Sequence, residues 1–137
     1  MTTHPPTDHP PLRTEEDVLA RVRRLVGHAV TDRQLWIMFV DGDDHQVPVV
    51  VPISDLPRNP DRRGLTALTA VLGGMRAELA TGRGPGSVIF TRERTGSDAV
   101  IPLDRAWAAA LADVCRTAGV VLRGVYLSTS GGVQRLG

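Results

Sequence analysis

A run of six apolar residues, Leu35-Trp-Ile-Met-Phe-Val40, contains no polar position. A strand with one wet face alternates, so this run reads as a strand covered on both sides and central in its sheet. Asp41-Gly-Asp-Asp44 then supplies a turn, and Val47-Pro-Val-Val-Val-Pro-Ile53 returns as a second strand. Pro48 and Pro52 lack the N–H that a ladder requires, which sends this second strand to an edge or gives it a bulge.

The rest of the chain supplies helices to cover such a sheet. Thr14 is placed to cap a helix with Asp17 at the capping-box position, and Val18, Val22, Leu25 and Val26 repeat at helical spacing up to Gly27. Arg21, Arg23 and Arg24 are expected to point outward. Leu65, Leu68, Thr69, Val71, Leu72, Met75 and Leu79 describe a second helix with a broad apolar face and a weak point at Gly73-Gly74. After the glycine-rich Thr81–Ser87 connection, Ser87-Val-Ile-Phe90 forms a third strand. Asp104 then stands at the head of a helix whose Trp107, Leu111, Val114, Cys115 and Ala118 share one face, stopped by Gly119. Val120 to Leu127 forms a final strand, ending in Ser128–Gly132.

This order gives an α/β (α+β) fold: one three-layer domain over residues 14–137, with a mixed sheet of about four to five strands flanked by about three helices. Residues 1–13, with four prolines, read as a disordered leader.

Composition removes several functional classes. All 16 basic residues are arginine, as in a GC-rich bacterial genome, and 15 acids leave a formal charge of +1, so no global field draws nucleic acid or anionic membrane. The lone Cys115 excludes an internal disulfide and a multi-cysteine zinc site, which fits a cytoplasmic chain. No apolar run is long enough to span a bilayer. Trp36, Trp107, Tyr126, Phe39 and Phe90 read as core, without the aromatic interleaving of a single-strand binder. Thr81–Ser87 enters a strand and lacks the lysine of a phosphate loop. His4 and His9 lie in the leader, and Cys115 on an apolar helix face reads as an inert thiol.

The segment Phe90-Thr-Arg-Glu-Arg-Thr-Gly-Ser-Asp98 through Asp104, followed by AGVVLRGVYLSTSGGVQRL, resembles the RadC-type branch of the JAB (MPN) metalloprotease-like domains, which share the cytidine-deaminase fold. The resemblance implies metal-ligand histidines at the positions of Thr91 and Glu93, a Ser-Gly pair at Thr95-Gly96, a serine at Ile101 and a ligand aspartate at Asp104. It also implies a catalytic glutamate near the early strands, yet no glutamate occurs between Gly27 and Ala77. Without imidazoles or that glutamate, a zinc hydrolase is not expected, and neither is a metal, a cofactor or a catalytic residue.

The expected function is therefore a non-enzymatic interaction or scaffold module. It would engage a protein partner, or a second copy through the edge strand Val47–Ile53, without a membrane; a nucleic-acid-associated role using the arginines is a further alternative and is less expected. The competing expectation is an anionic small-ligand site or a rebuilt enzyme site at Thr91, Arg92, Glu93, Arg94, Asp98 and Asp104, aided by Arg58, Arg62 and Arg63. The bland expectation is that Asp104 caps its helix, while residues 91–94 form a solvated strand end with Thr91 and Glu93 on one face and Arg92 and Arg94 on the other.

Overall fold

The computed structural model describes residues 10–137. The elements run α1 (Glu15–Leu25), β1 (Gln34–Val40), β2 (Gln46–Ile53), α2 (Arg62–Leu79), β3 (Ser87–Glu93), α3 (Pro102–Ala118), β4 (Val121–Thr129) and β5 (Gly132–Arg135). The strands form one mixed sheet in the order β2-β1-β3-β4-β5, with β3 and β4 parallel and the other neighbours antiparallel.

Strand periodicity divides the core into two layers. Ile37, Phe39, Val88, Phe90 and Val125 face α2 and α3, meeting Leu72, Trp107, Leu111 and Val114. Met38, Val40, Ile89 and Tyr126 face the other way, against Val18 and Val22 of α1. The three-layer α/β domain with a mixed sheet is thus the observed architecture. β1 lies between β2 and β3, and β2 is both an edge and irregular, its register shifting between Met38 and Val40.

Local signals account for most element ends. Thr14 accepts from Asp17 N–H at 3.1 Å while the Asp17 carboxylate takes the Thr14 N–H, closing the capping box. Gly119 ends α3 with φ of 73°, a left-handed conformation that glycine adopts without strain. All five expected core positions of α3 are buried.

Several expectations are corrected. Gly73 and Gly74 do not interrupt α2, whose Leu68, Leu72 and Leu79 are buried on both sides of them. β3 continues past Phe90 to Glu93, buried at every position, so residues 91–93 are not a solvated strand end. A fifth strand pairs Gly132–Arg135 with β4, beyond the expected end of the sheet. Arg21 does not face solvent: its guanidinium is buried and donates to Gln46 Oε1 at 2.7 Å and to the Pro10 carbonyl at 2.6 Å.

The expected leader falls largely outside the described residues, as do His4 and His9. Its last part is not free of the domain. Leu12 is 1% exposed within the α1-side core, donates to the Asp44 carbonyl at 2.7 Å and accepts from Arg123. Leu12→Ala should cost roughly 2–4 kcal/mol in urea unfolding; a loss under about 0.5 kcal/mol, typical of a surface change, would show that Leu12 does not pack.

Candidate functional site

β3 points its C-terminal end at the start of α3, and the charged residues of the sequence meet there. Because successive side chains on a strand alternate, Arg92 and Arg94 reach toward α3 while Thr91 and Glu93 reach toward α1. The alternation is as expected; the burial is not. Thr91, Arg92 and Glu93 are buried, Asp104 is 0% exposed, and only Arg94 of the group is partly open.

Asp104 is not the N-cap of α3. Ile101 occupies that position, Pro102 starts the helix, and Asp104 sits at the third helical residue, where its Oδ2 accepts the Ile101 N–H at 3.0 Å. Ile101 has no side-chain acceptor, so this backward bond is the cap. The same carboxylate takes Arg92 Nε at 3.0 Å and Arg94 Nε at 2.9 Å on Oδ1, and Arg94 Nη2 at 2.8 Å on Oδ2. Four donors on two oxygens fill its acceptor capacity. Arg94 also donates to the Ser97 and Ala99 carbonyls at 2.8 and 2.9 Å, fixing the loop between β3 and α3.

Burial alone would raise the Asp104 pKa, but the hydrogen bonds from Arg94, the Ile101 backbone and Arg92 outweigh it and hold the carboxyl down at about 2. Asp104 is therefore an anion at neutral pH, between two cations.

Glu93 plays the matching part on the opposite face. Its Oε2 accepts Val30 N–H at 2.8 Å and Thr31 N–H at 3.0 Å, and its Oε1 accepts the Trp36 indole N–H at 2.8 Å. The loop after α1 is further tied by Ser128 Oγ to the Gly27 carbonyl and by Ala29 N–H to the Thr129 carbonyl. Asp32, which no motif or periodicity marks, accepts from the backbone and hydroxyl of Thr95 at 2.8 and 2.7 Å and links the two loops.

The candidate residues are thus separated into two buried locks. Arg92, Arg94 and Asp104 come together; Thr91 and Glu93 lie across the sheet from them. Asp98 is exposed and beside Gly131, with no bond to the Asp104 carboxylate. Arg58, Arg62 and Arg63 are exposed and share no ion pair with this group among the described residues. Three buried polar groups among the described residues remain without partners: Thr91 Oγ1 and Tyr126 Oη on the α1 side of the sheet, and Arg92 Nη1 on the other. No group of three or more His, Cys, Asp or Glu among the described residues is arranged to hold a metal ion. Burial pushes the Cys115 thiol up to about 11, far from a thiolate at neutral pH. Among the described residues no helix is long and apolar enough to cross a membrane. No family model, curated protein or solved structure matches the chain.

The folded-state pKa of Asp104 lies below its ordinary value of 3.8. Its stabilisation is therefore present above pH 4 and is lost as pH falls toward 2. The shift corresponds to about 2 kcal/mol, which wild type should lose across that window and Asp104→Asn should not. At neutral pH Asp104→Asn should cost about 3–5 kcal/mol, because it leaves Arg92 buried without its counter-ion. Urea unfolding of both proteins between pH 2 and 7 checks both statements; parallel pH profiles would overturn the assignment.

Proposed function

We propose that this chain is a non-enzymatic interaction module on a JAB-like fold whose metal-ligand positions are filled by other side chains. The element order, and the convergence of the end of β3 on the start of α3, support the resemblance as far as a backbone arrangement can. The observation that carries the functional reading is the saturated Asp104 carboxylate: with four donors in place and no exposed surface, it has no lone pair for a metal and no path for substrate. Glu93 is similarly committed through three bonds to the loop after α1 and to Trp36.

The anionic-ligand alternative gains nothing from the three unpartnered groups. Thr91 Oγ1, Tyr126 Oη and Arg92 Nη1 are all shut away from solvent, so a ligand has no path to them.

The surface offered to a protein partner, or to a second copy, is the edge strand β2. Pro48 and Pro52 remove two ladder donors there, and Val49 is 51% exposed. Docking on this edge therefore relies on side chains more than on an added strand. Light scattering tests the second-copy occupant: a dimer mass abolished by Val49→Lys assigns the edge to a second copy, and a monomer at high concentration rules that occupant out.

Protein purified without a histidine tag should carry no stoichiometric metal by elemental mass spectrometry, and Asp104→Ala should unfold more easily without changing that result. Near-stoichiometric zinc or manganese, lost in Asp104→Ala, would overturn the module reading in favour of an enzyme.

A further inference from the structure

Between the C-terminal ends of α2 and α3 the surface opens into a cavity of about 420 Å³. It lies where the chain enters β3 and β4, at the opposite end of the sheet from Asp104. The volume falls in the range of small-ligand sites. Gly73, Gly74, Leu79, Pro85 and Val120 line much of it, and Arg76 is the only charged residue in the wall among the described residues.

Two features of this cavity are not explained by the chain's own packing. The first is the pair of glycines inside α2, where alanine would be the more stable residue. Glycine is needed at such a place only if φ is positive or an added side chain would collide. Gly86, in the same wall, meets that condition: a Cβ there would lie 2.4 Å from Leu79 Cβ and 2.5 Å from the Val40 carbonyl oxygen. Gly73 and Gly74 do not. Neither has a positive φ, a Cβ at Gly74 would meet nothing within 4 Å, and one at Gly73 would meet only the Ala118 carbonyl oxygen at 4.0 Å. What the two glycines keep open is the cavity itself.

The second feature is Arg76, which is exposed and takes part in no ion pair among the described residues. Its guanidinium is nonetheless held in place against Gly119, where an added Cβ would come 3.2 Å from Cζ and 3.3 Å from Nε. The C-terminal ends of α2 and α3 favour a cation at this point, which accounts for its position without a carboxylate partner. Acids on adjoining segments are engaged elsewhere: Asp113 pairs with Arg116, and Asp43 with Arg83 and the Thr81 hydroxyl. Glu78, two residues on, does not share a helix face with Arg76.

We infer that this cavity binds a small-molecule monocarboxylate with an apolar chain or ring. Its carboxylate takes paired N–H donors from Arg76, and its apolar body lies over the open backbone of Gly73 and Gly74, against Leu79 and Val120. The inference goes beyond the module reading and does not rest on it.

The test is a titration of the full, uniformly ¹⁵N-labelled chain with octanoate, beside acetate, which lacks the apolar body, and octanol, which lacks the charge. The Gly73, Gly74, Ala77 and Gly119 amides should shift and saturate with octanoate at a Kd of about 0.1–1 mM, while the Ile101 amide beside Asp104 stays still. Acetate and octanol should each bind at least about tenfold more weakly. Arg76→Gln should reduce octanoate affinity about tenfold and leave octanol affinity unchanged. Gly73→Ala/Gly74→Ala fills the floor with methyl groups, so it should unfold at higher urea than wild type yet bind octanoate at least about tenfold more weakly. Glycines with a purely structural role would not separate stability from binding in this way.

No saturable shift at about 10 mM octanoate, equal affinity for octanol, or full octanoate affinity in either variant would overturn the proposal. So would tighter binding of acetyl-Gly-Ser-Leu with its free carboxylate, which would place a protein C-terminus in the cavity. Bound metal lost in Asp104→Ala brings down the module reading alone, and a failed titration brings down the cavity alone.

Discussion

The carboxylate of Asp104 is the point on which the charged half of the structure depends. β3 is the middle strand of the sheet, and its last residues bring an arginine into the layer between sheet and α3. A well-placed anion offsets the desolvation cost of a buried guanidinium. Asp104 supplies one from the first turn of α3, where the helix dipole also favours negative charge. A single side chain thereby neutralises Arg92, caps α3 through Ile101, and orients Arg94 so that its remaining donors hold the crossover loop.

The opposite face uses a second buried carboxylate, with neutral donors in place of arginines. Glu93 accepts from two backbone N–H groups and an indole, and through them it fixes the loop after α1. Adjacent residues of one strand therefore secure two loops in two different layers, because strand period sends them to opposite sides. Buried carboxylates thus draw both loops onto the sheet, and their acceptor sites are occupied in doing so.

Much of this architecture was legible because its causes are local. The unbroken apolar run at Leu35–Val40 implied a strand covered on both faces, the prolines after it implied an edge, and Thr14 with Asp17 marked a helix start. What escaped detection depends on partners distant in the chain. Glu93 finds its acceptors' donors 57–63 residues away, and Arg21 meets Gln46 at a separation of 25. No periodicity reports such pairs, so charge was read as exposure. The alternating Thr91-Arg-Glu-Arg94 pattern was itself a signal that a strand could continue, but only the presence of Asp104 at the facing helix start makes burial of Arg92 affordable. β5 escaped because four residues beginning with glycine carry little apolar pattern; its place is set by the antiparallel partner β4.

The two ends of the domain consequently differ in what they leave unresolved. Around the end of β3, acids and arginines are matched, and the loops have little freedom to accept a ligand without breaking a lock. Around the end of β2, prolines interrupt the outer edge, and Arg62 and Arg63 sit against the unfavourable end of a helix dipole. Internal packing does not relieve these local costs, so the corner of β2 and α2 is the less self-sufficient end of the domain.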